Sequence, residues 1–319
     1  VPLHRRISHA ARAARWTAAA GRAAPRAVAV LAAALLVAGC AGSAAPPDVV
    51  LIVVDTLRRD YLSPYGGDVH TPRIAALAAR GTAIDELASY HQTTMSMGAL
   101  FTGRTPSIAS GNPGVAVKWR PSTWCGMGRF QEGPPTDRCL PESVRTLGEA
   151  VRSRGYTTVG VVANALLFRP AGFDRGFDRW VEVGEVDQSE PEEAARGRTW
   201  QHVNEGVLRA LADRPDGPLF LYVHYLDVHD YNLLGLGYGE AVERMDRGIG
   251  DLLALLGERG VLPGAVVVFT SDHGQRLGEH NVLPGFPSHA GNPSFHTLLD
   301  VPLIVAGADL PGLPPLVRT

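Results

Sequence analysis

An open, mostly parallel α/β sheet with helices on both faces is the fold this sequence predicts, and three observations carry the prediction. Five short runs are apolar at successive positions, helical periodicities fall between them, and three of the runs lead into Asp or His. A strand apolar at every position is buried on both faces, as central strands of a parallel sheet are. Strands separated by helices imply crossover connections that lay the helices over the sheet.

The first strand is expected at residues 48–54 (DVVLIVV), after the short Ala44-Ala45-Pro46-Pro47 stretch. Thr71-Pro72 opens a helix through Arg80, with Pro in the first turn and Gly81 as its stop. A helix over 94–101 follows Thr93, and another spans 144–154 and closes at Gly155. Strands then follow at 157–162 (TTVGVV) and 218–224 (PLFLYVH). Val242, Met245, Ile249, Leu252, Leu253 and Leu256 recur at helical spacing within 238–259, and Gly260 ends that helix. Strands at 265–270 (AVVVFT) and 301–306 (VPLIVA) complete the sheet. With 319 residues, 45% of them hydrophobic, the chain is long enough for one large α/β domain. A net charge of −2 with no basic stripe gives no argument for nucleic acid, and no nucleic-acid partner is expected.

Ahead of the first strand the chain reads as a targeting segment. Arginines 5, 6, 12, 15, 22 and 26 precede an apolar run at 27–38, of signal-sequence length and too short to span a bilayer. The run ends in Leu36-Val37-Ala38-Gly39-Cys40, which resembles a bacterial lipobox. That resemblance implies a lipoprotein signal over 1–39, lipidation of Cys40, a tether over 40–47 and a domain over 48–319, the alternative being an ordinary secretory signal. The product would be exported and held to the cell-envelope membrane by its lipid. An oxidising compartment favours a disulfide between Cys125 and Cys139, with two free thiols as the alternative. Closing that loop would stabilise the fold by roughly 3 kcal/mol.

Three strand ends carry the polar groups: Asp55-Thr56, then His224 with Asp227 and His229, then Asp272-His273. A single acid after a strand is often a cap or turn residue. In an α/β sheet, however, functional groups collect at the carboxyl ends of the strands. There they supply two carboxylates and an imidazole, three ligands for a divalent metal with a position left open for catalysis.

The segment from Val54-Asp55-Thr56-Leu57-Arg58 to Tyr65-Gly66 resembles the opening of sulfatase-like proteins of the alkaline phosphatase superfamily. The resemblance continues through residues 71–81 (TPRIAALAARG), 99–104 (ALFTGR), 172–178 (GFDRGFD), 224–231 (HYLDVHDY), 270–280 (TSDHGQRLGEH) and 301–305 (VPLIV). It implies an ester hydrolase whose nucleophile lies nine residues before Thr102, at Thr93. Sulfatases proper place there a Cys or Ser that is oxidised to formylglycine within a Pro- and Arg-containing motif. Here residues 93–97 read TTMSM, so no formylglycine is expected and the hydroxyl itself would attack, which favours phosphate esters. The alternative for Thr93 is a plain helix N-cap.

The same resemblance implies Asp55, Thr93, Asp272 and His273 as metal ligands. Two carboxylates, an imidazole and a hydroxyl suit zinc or manganese better than calcium or magnesium. His229, His289 and Arg104 are candidates for contacting substrate, and His224 and His280 for supporting roles. Thr56 replaces a second acid of the sulfatase metal site, which lowers the negative charge there. Relatives carry a longer insertion between His229 and Tyr238 and a further C-terminal subdomain, which would be missing here. Three readings follow: a hydrolase of small-molecule or envelope-glycan esters, a transferase of phosphoethanolamine or phosphoglycerol groups onto envelope glycans or lipids, and a non-catalytic binding lipoprotein.

Overall fold

The computed structural model describes residues 46–104, 106–107, 117–118, 140, 144–184, 189–279 and 295–307. Nine strands fall in this span: β1 Val49–Val54, β2 Gly81–Leu87, β3 Pro106–Ser107, β4 Val117–Lys118, β5 Thr157–Val162, β6 Arg179–Glu182, β7 Leu219–Tyr225, β8 Val266–Thr270 and β9 Asp300–Gly307. The helices are α1 Pro72–Ala79, α2 Thr93–Thr102, α3 Leu147–Arg152, α4 Pro191–Arg196, α5 Trp200–Ala210, α6 Tyr238–Glu258 and α7 His296–Leu299.

Seven strands form one sheet in the order β2-β9-β8-β1-β7-β5-β6, while β3 and β4 make a separate two-residue ladder. β1 lies at the centre, parallel to β7 on one side and to β8 on the other. β5 and β6 extend the parallel part beyond β7. β9 runs against both of its neighbours, β8 and β2.

The alternation of β1 explains its unbroken apolar run. Val50, Ile52 and Val54 enter one core with Ile74 and Leu77 of α1, Val203 and Val207 of α5, and Met245, Ile249 and Leu252 of α6. Val49, Leu51 and Val53 enter the opposite core with Met97 and Phe101 of α2 and Val151 of α3. Both faces of the sheet are therefore covered, as expected.

The details differ in three places. Gly81 does end α1, but it also begins β2, a strand that was not expected from the sequence. A Cβ there would lie 2.1 Å from the carbonyl oxygen of Val305, so only glycine lets β2 approach β9. Pairing with β9 overrides the weak strand propensity of Asp85 and Glu86 on this edge. The helix expected from 144 starts at Leu147, because Thr146 and Glu149 close a reciprocal capping box. β6, α4 and α5 were not expected from the sequence at all.

Capping also links helices across the domain. Asp246 of α6 accepts from the amides of Arg73 (3.2 Å) and Ile74 (2.8 Å) in the first turn of α1. No helix among the described residues is long and apolar enough to cross a membrane. The signal segment, Cys40, Cys125, Cys139 and the chain beyond residue 307 lie outside the described residues.

Ile52 is fully buried at the centre of β1. Ile52→Ala is expected to lower the unfolding free energy by about 2–5 kcal/mol. Leu87→Ala, at the exposed end of β2, is expected to stay within about 0.5 kcal/mol of wild type. Urea titration followed by circular dichroism distinguishes the two.

Candidate metal centre and nucleophile

Because β1, β7 and β8 are parallel neighbours, their carboxyl ends lie side by side. Val53 is in register with His224 on β7 and with Thr270 on β8. Asp55 follows β1 directly, and Asp272-His273 leave β8 two residues beyond its end. Helix α2 starts beside them and brings in Thr93. Asp55, Thr93, Asp272 and His273 are all at most 5% exposed.

The two oxygens of Asp55 divide their work. Oδ2 accepts from Asn164 Nδ2 at 2.6 Å and from Thr93 Oγ1 at 3.3 Å, and it lies 3.3 Å from Nε2 of His224. Oδ1 accepts no hydrogen bond, although it is buried. Asp272 repeats the pattern. Its Oδ1 accepts from the amides of Thr56 (3.1 Å) and His273 (2.8 Å), while its buried Oδ2 accepts none. Nδ1 of His273 lies 2.9 Å from the carbonyl oxygen of Gly274, which can only accept. The proton of the neutral ring therefore sits on Nδ1, and the Nε2 lone pair faces the carboxylates. That Nε2 lies 3.5 Å from Asp272 Oδ2 and 3.3 Å from Thr93 Oγ1.

One ligand atom each from Asp55, Asp272 and His273 lies within 4.8 Å of the others, all buried. Electrostatics point the same way. Burial opposes ionisation of Asp55, but the His224 hydrogen bond and the nearby imidazoles outweigh it and hold this carboxyl well below the usual range. Burial and the charge of Asp55 push Asp272 up. Two buried carboxylates this close oppose each other's ionisation unless a cation joins them. A buried carboxylate oxygen without a partner costs about 1–3 kcal/mol. The donor set thus fits a divalent cation, held by Asp55, Asp272 and His273 with the Thr93 hydroxyl alongside.

Thr93 is not the N-cap of its helix. Gln92 holds that position, and Thr93 is the first helical residue, its hydroxyl directed at Asp55 and His273. Thr56 turns its own hydroxyl back onto the Asp55 carbonyl at 2.7 Å, so it does not stand in for the second acid as a ligand.

His229 sits at the edge of the site and is partly exposed. Its Nδ1 meets Asp230 Oδ1 at 2.9 Å, and Arg198 Nε donates to the other oxygen of Asp230 at 2.7 Å. Burial pulls the His229 pKa down, but the Asp230 hydrogen bond and the charge of Asp55 raise it to about 9. His224 is fully buried, bridging Tyr222 OH (2.7 Å) and Asp55. Asp227 faces elsewhere, capping α5 by accepting from the Trp200 amide at 3.0 Å, and burial pushes it up to about 7.

Arg104 is not brought together with the other candidate residues. It is exposed past the C-terminal end of α2, about 15 Å along the helix from Thr93 at the usual rise. It therefore stands at the opposite end of the helix from that residue. His280 and His289 lie outside the described residues. Two site residues were missed. Asn164 stands two residues past β5, so the strand-end rule that located Asp55 would have reached it too. His91 is buried just before α2, its Nδ1 without a hydrogen bond, and burial lowers its pKa to about 4. No sequence signal distinguished it from a loop histidine.

The chain matches the sulfatase family model over residues 47–234 and 236–311, and it belongs to that family. It is similar to human arylsulfatase A, 28% identical over 300 residues that cover 75% of this chain and 55% of that protein. The chain spans about half the length of the curated relatives it matches. Among solved structures it resembles a 2-O GAG sulfatase (TM-score 0.61, 16% identity, 82% of this chain and 64% of that one). It also resembles the C-terminal periplasmic domain of EcEptC from Escherichia coli in complex with zinc (TM-score 0.57, 16% identity, 84% and 74%). At such identities the structures establish the shared fold alone.

The opposed carboxylates give a stability prediction. Asp272→Asn keeps an acceptor for the Thr56 and His273 amides but removes the buried charge. It is expected to raise the melting temperature of chelator-stripped protein. In the wild type, a cation at a hundredfold excess over its Kd is expected to add about 2.7 kcal/mol, and this gain should vanish in the variant. Scanning fluorimetry with and without zinc or manganese reads both effects.

Proposed function

We propose that this sulfatase-family chain is a metal-dependent hydrolase of phosphate or sulfate esters, phosphate being favoured, and that the Thr93 hydroxyl is its nucleophile. The observation that carries the reading is the position of Thr93 Oγ1, 3.3 Å from both Asp55 Oδ2 and His273 Nε2. A hydroxyl needs activation to attack near neutral pH. A divalent cation held by Asp55, Asp272 and His273 would supply Lewis acidity, lowering the pKa of the hydroxyl and drawing charge from the ester oxygens. Zinc or manganese fits the mixed nitrogen and oxygen donors.

The residues then have separate tasks. Thr93 Oγ1 forms a bond to phosphorus or sulfur as the bond to the leaving oxygen breaks. Its proton passes towards Asp55 Oδ2, the acceptor already in contact. The amides that open α2 and the positive end of its dipole favour the negative charge on the ester oxygens. His229, kept cationic by Asp230, either holds a non-bridging oxygen or gives its proton to the leaving oxygen. Water next attacks the Thr93 ester, restoring the hydroxyl and releasing phosphate or sulfate. An acceptor alcohol in place of that water would make the same chemistry a transfer.

The amino-terminal segment supports an exported protein, anchored through Cys40 to the bacterial envelope. Its substrates would then be small-molecule or envelope-glycan esters met outside the cytoplasm.

Protein starting at Cys40 should be assayed with added zinc or manganese against aryl phosphate monoesters and diesters, phosphonates and sulfates. Turnover of a phosphate ester is expected, with Thr93→Ala lowering kcat about a thousandfold or more. Activity unchanged by that substitution would remove Thr93 from the reaction.

The His229 assignment makes a separate prediction for pH. A histidine raised to about 9 is cationic below that pH and loses its proton above it. Activity is therefore expected to decline through about pH 9. Asp230→Asn removes the carboxylate that favours the cation, so the decline should move to lower pH. A basic limb that stays in place in Asp230→Asn would exclude His229 as its source.

A further inference from the structure

Thr56 is the one non-glycine residue with positive φ (59°) among the described residues. A β-branched side chain resists this left-handed conformation, because its Cβ crowds the backbone. Something must hold it, and the surroundings show what does. Tyr238, the first residue of α6, is buried with its hydroxyl against the turn. The hydroxyl donates to the Thr56 carbonyl at 2.7 Å and accepts from the Arg58 amide at 2.9 Å. It thus satisfies the backbone groups on either side of Leu57.

The ring itself has little freedom. It packs edge-on against Tyr61 at 4.7 Å and against Tyr231 at 5.6 Å. On the far side of the turn, Arg58 pairs with Asp60 at 2.7 Å and donates to the Gln275 carbonyl at 3.2 Å and to Glu279 at 2.6 Å. The turn is therefore fixed both to α6 and to the segment that follows His273.

Its consequence lies one residue away in each direction. Asp55 precedes Thr56 in the chain, and the Thr56 amide donates to Asp272 Oδ1 at 3.1 Å. That hydrogen bond occupies one oxygen of Asp272 and leaves the other for the cluster. If Thr56 relaxed to negative φ, its amide would swing away from Asp272 and the two carboxylates would lose their common reference.

We propose that Tyr238 is a positioning residue of the metal centre: it holds Thr56 in the left-handed turn that sets Asp55 and Asp272 against each other. This rests on the metal-dependent reading given above. Tyr238 touches neither cation nor substrate and acts only through the backbone of residues 56–58.

The test uses the full chain as wild type, Tyr238→Phe, Thr56→Gly and the double variant. Phenylalanine retains the ring contacts and removes only the hydroxyl. Glycine adopts positive φ freely, so it removes the need for the clamp. Zinc affinity is measured by competition with a chromophoric chelator, and amide exchange over residues 55–58 is measured in chelator-stripped protein. Tyr238→Phe is expected to speed that exchange and to weaken zinc binding about 10- to 100-fold, the usual effect of losing a group that orients a ligand. In the Thr56→Gly background the same substitution should cost far less, and this non-additivity identifies the turn as the route.

Unchanged exchange in Tyr238→Phe, or an equal loss of zinc affinity in both backgrounds, would overturn the proposal. Should Tyr238→Phe not fold alone, recovery of folding in the double variant would support the clamp, and no recovery would overturn it. Wild-type protein that takes up neither zinc nor manganese would sink the metal reading and the last step of this inference. The exchange measurement would then still decide whether Tyr238 holds the turn.

Discussion

Two carboxylates, Asp55 and Asp272, are buried at adjacent strand ends, and each has an oxygen that no hydrogen bond satisfies. Such a pair is unfavourable in itself. Burial disfavours the ionised form of both acids; the neighbouring imidazoles keep Asp55 ionised all the same, and its charge raises Asp272 further. A fold that keeps this arrangement has a site whose stability depends on a positive charge between the two groups. The other features of the site follow from it. His273 supplies a third donor atom, Thr93 brings a hydroxyl to the same place, and a strained turn keeps the acids in register.

The sheet makes this convergence possible. β1 is flanked on both sides by parallel strands, so the groups leaving β1, β7 and β8 emerge at one edge without any long loop. Both faces are sealed by helices, which leaves that edge as the place where polar groups meet. The reversed strand β9 does not disturb it, because β9 pairs outside β8. It closes the sheet towards β2 and anchors Tyr65, whose hydroxyl donates to the Leu303 carbonyl at 3.0 Å and accepts from the Leu303 amide at 2.9 Å.

Much of this was legible in the sequence, for identifiable reasons. Strands buried on both faces leave an unbroken apolar signal, and β1, β5, β7 and β8 were located to within a residue or so. β2 was missed because an edge strand needs only half its residues apolar, and the acidic pair Asp85-Glu86 interrupts what apolar signal it has. α5 was missed although Trp200, Val203, Val207 and Ala210 keep helical spacing. Its polar residues dilute that signal, and its first amide is capped by Asp227 from a distant strand end. The three acid and imidazole groups proposed as ligands followed from the strand-end rule, whereas Thr93 came only from a family resemblance, since a threonine opening a helix has an ordinary structural meaning. Arg104 follows the helix that Thr93 opens, which puts the two residues at its opposite ends.

The division between the oxygens of Asp55 is where fold and chemistry become one argument. A free carboxylate can rotate and offer either oxygen to a cation. Here Oδ2 is held by the Asn164 amide and by the imidazole of His224, itself pinned to Tyr222 within β7. Rotation would break those contacts, so the orientation of Oδ1 is set before any ligand arrives. The Thr93 hydroxyl donates to that same Oδ2, which ties the proposed nucleophile to an oxygen already held by Asn164 and His224. Pre-organisation of this kind matters most for a weak nucleophile, because a hydroxyl placed an ångström off loses far more rate than affinity. A binding protein would gain nothing from fixing a threonine so closely against a ligand carboxylate. That specific contact is why catalysis, rather than mere retention of the fold, is the reading the site supports.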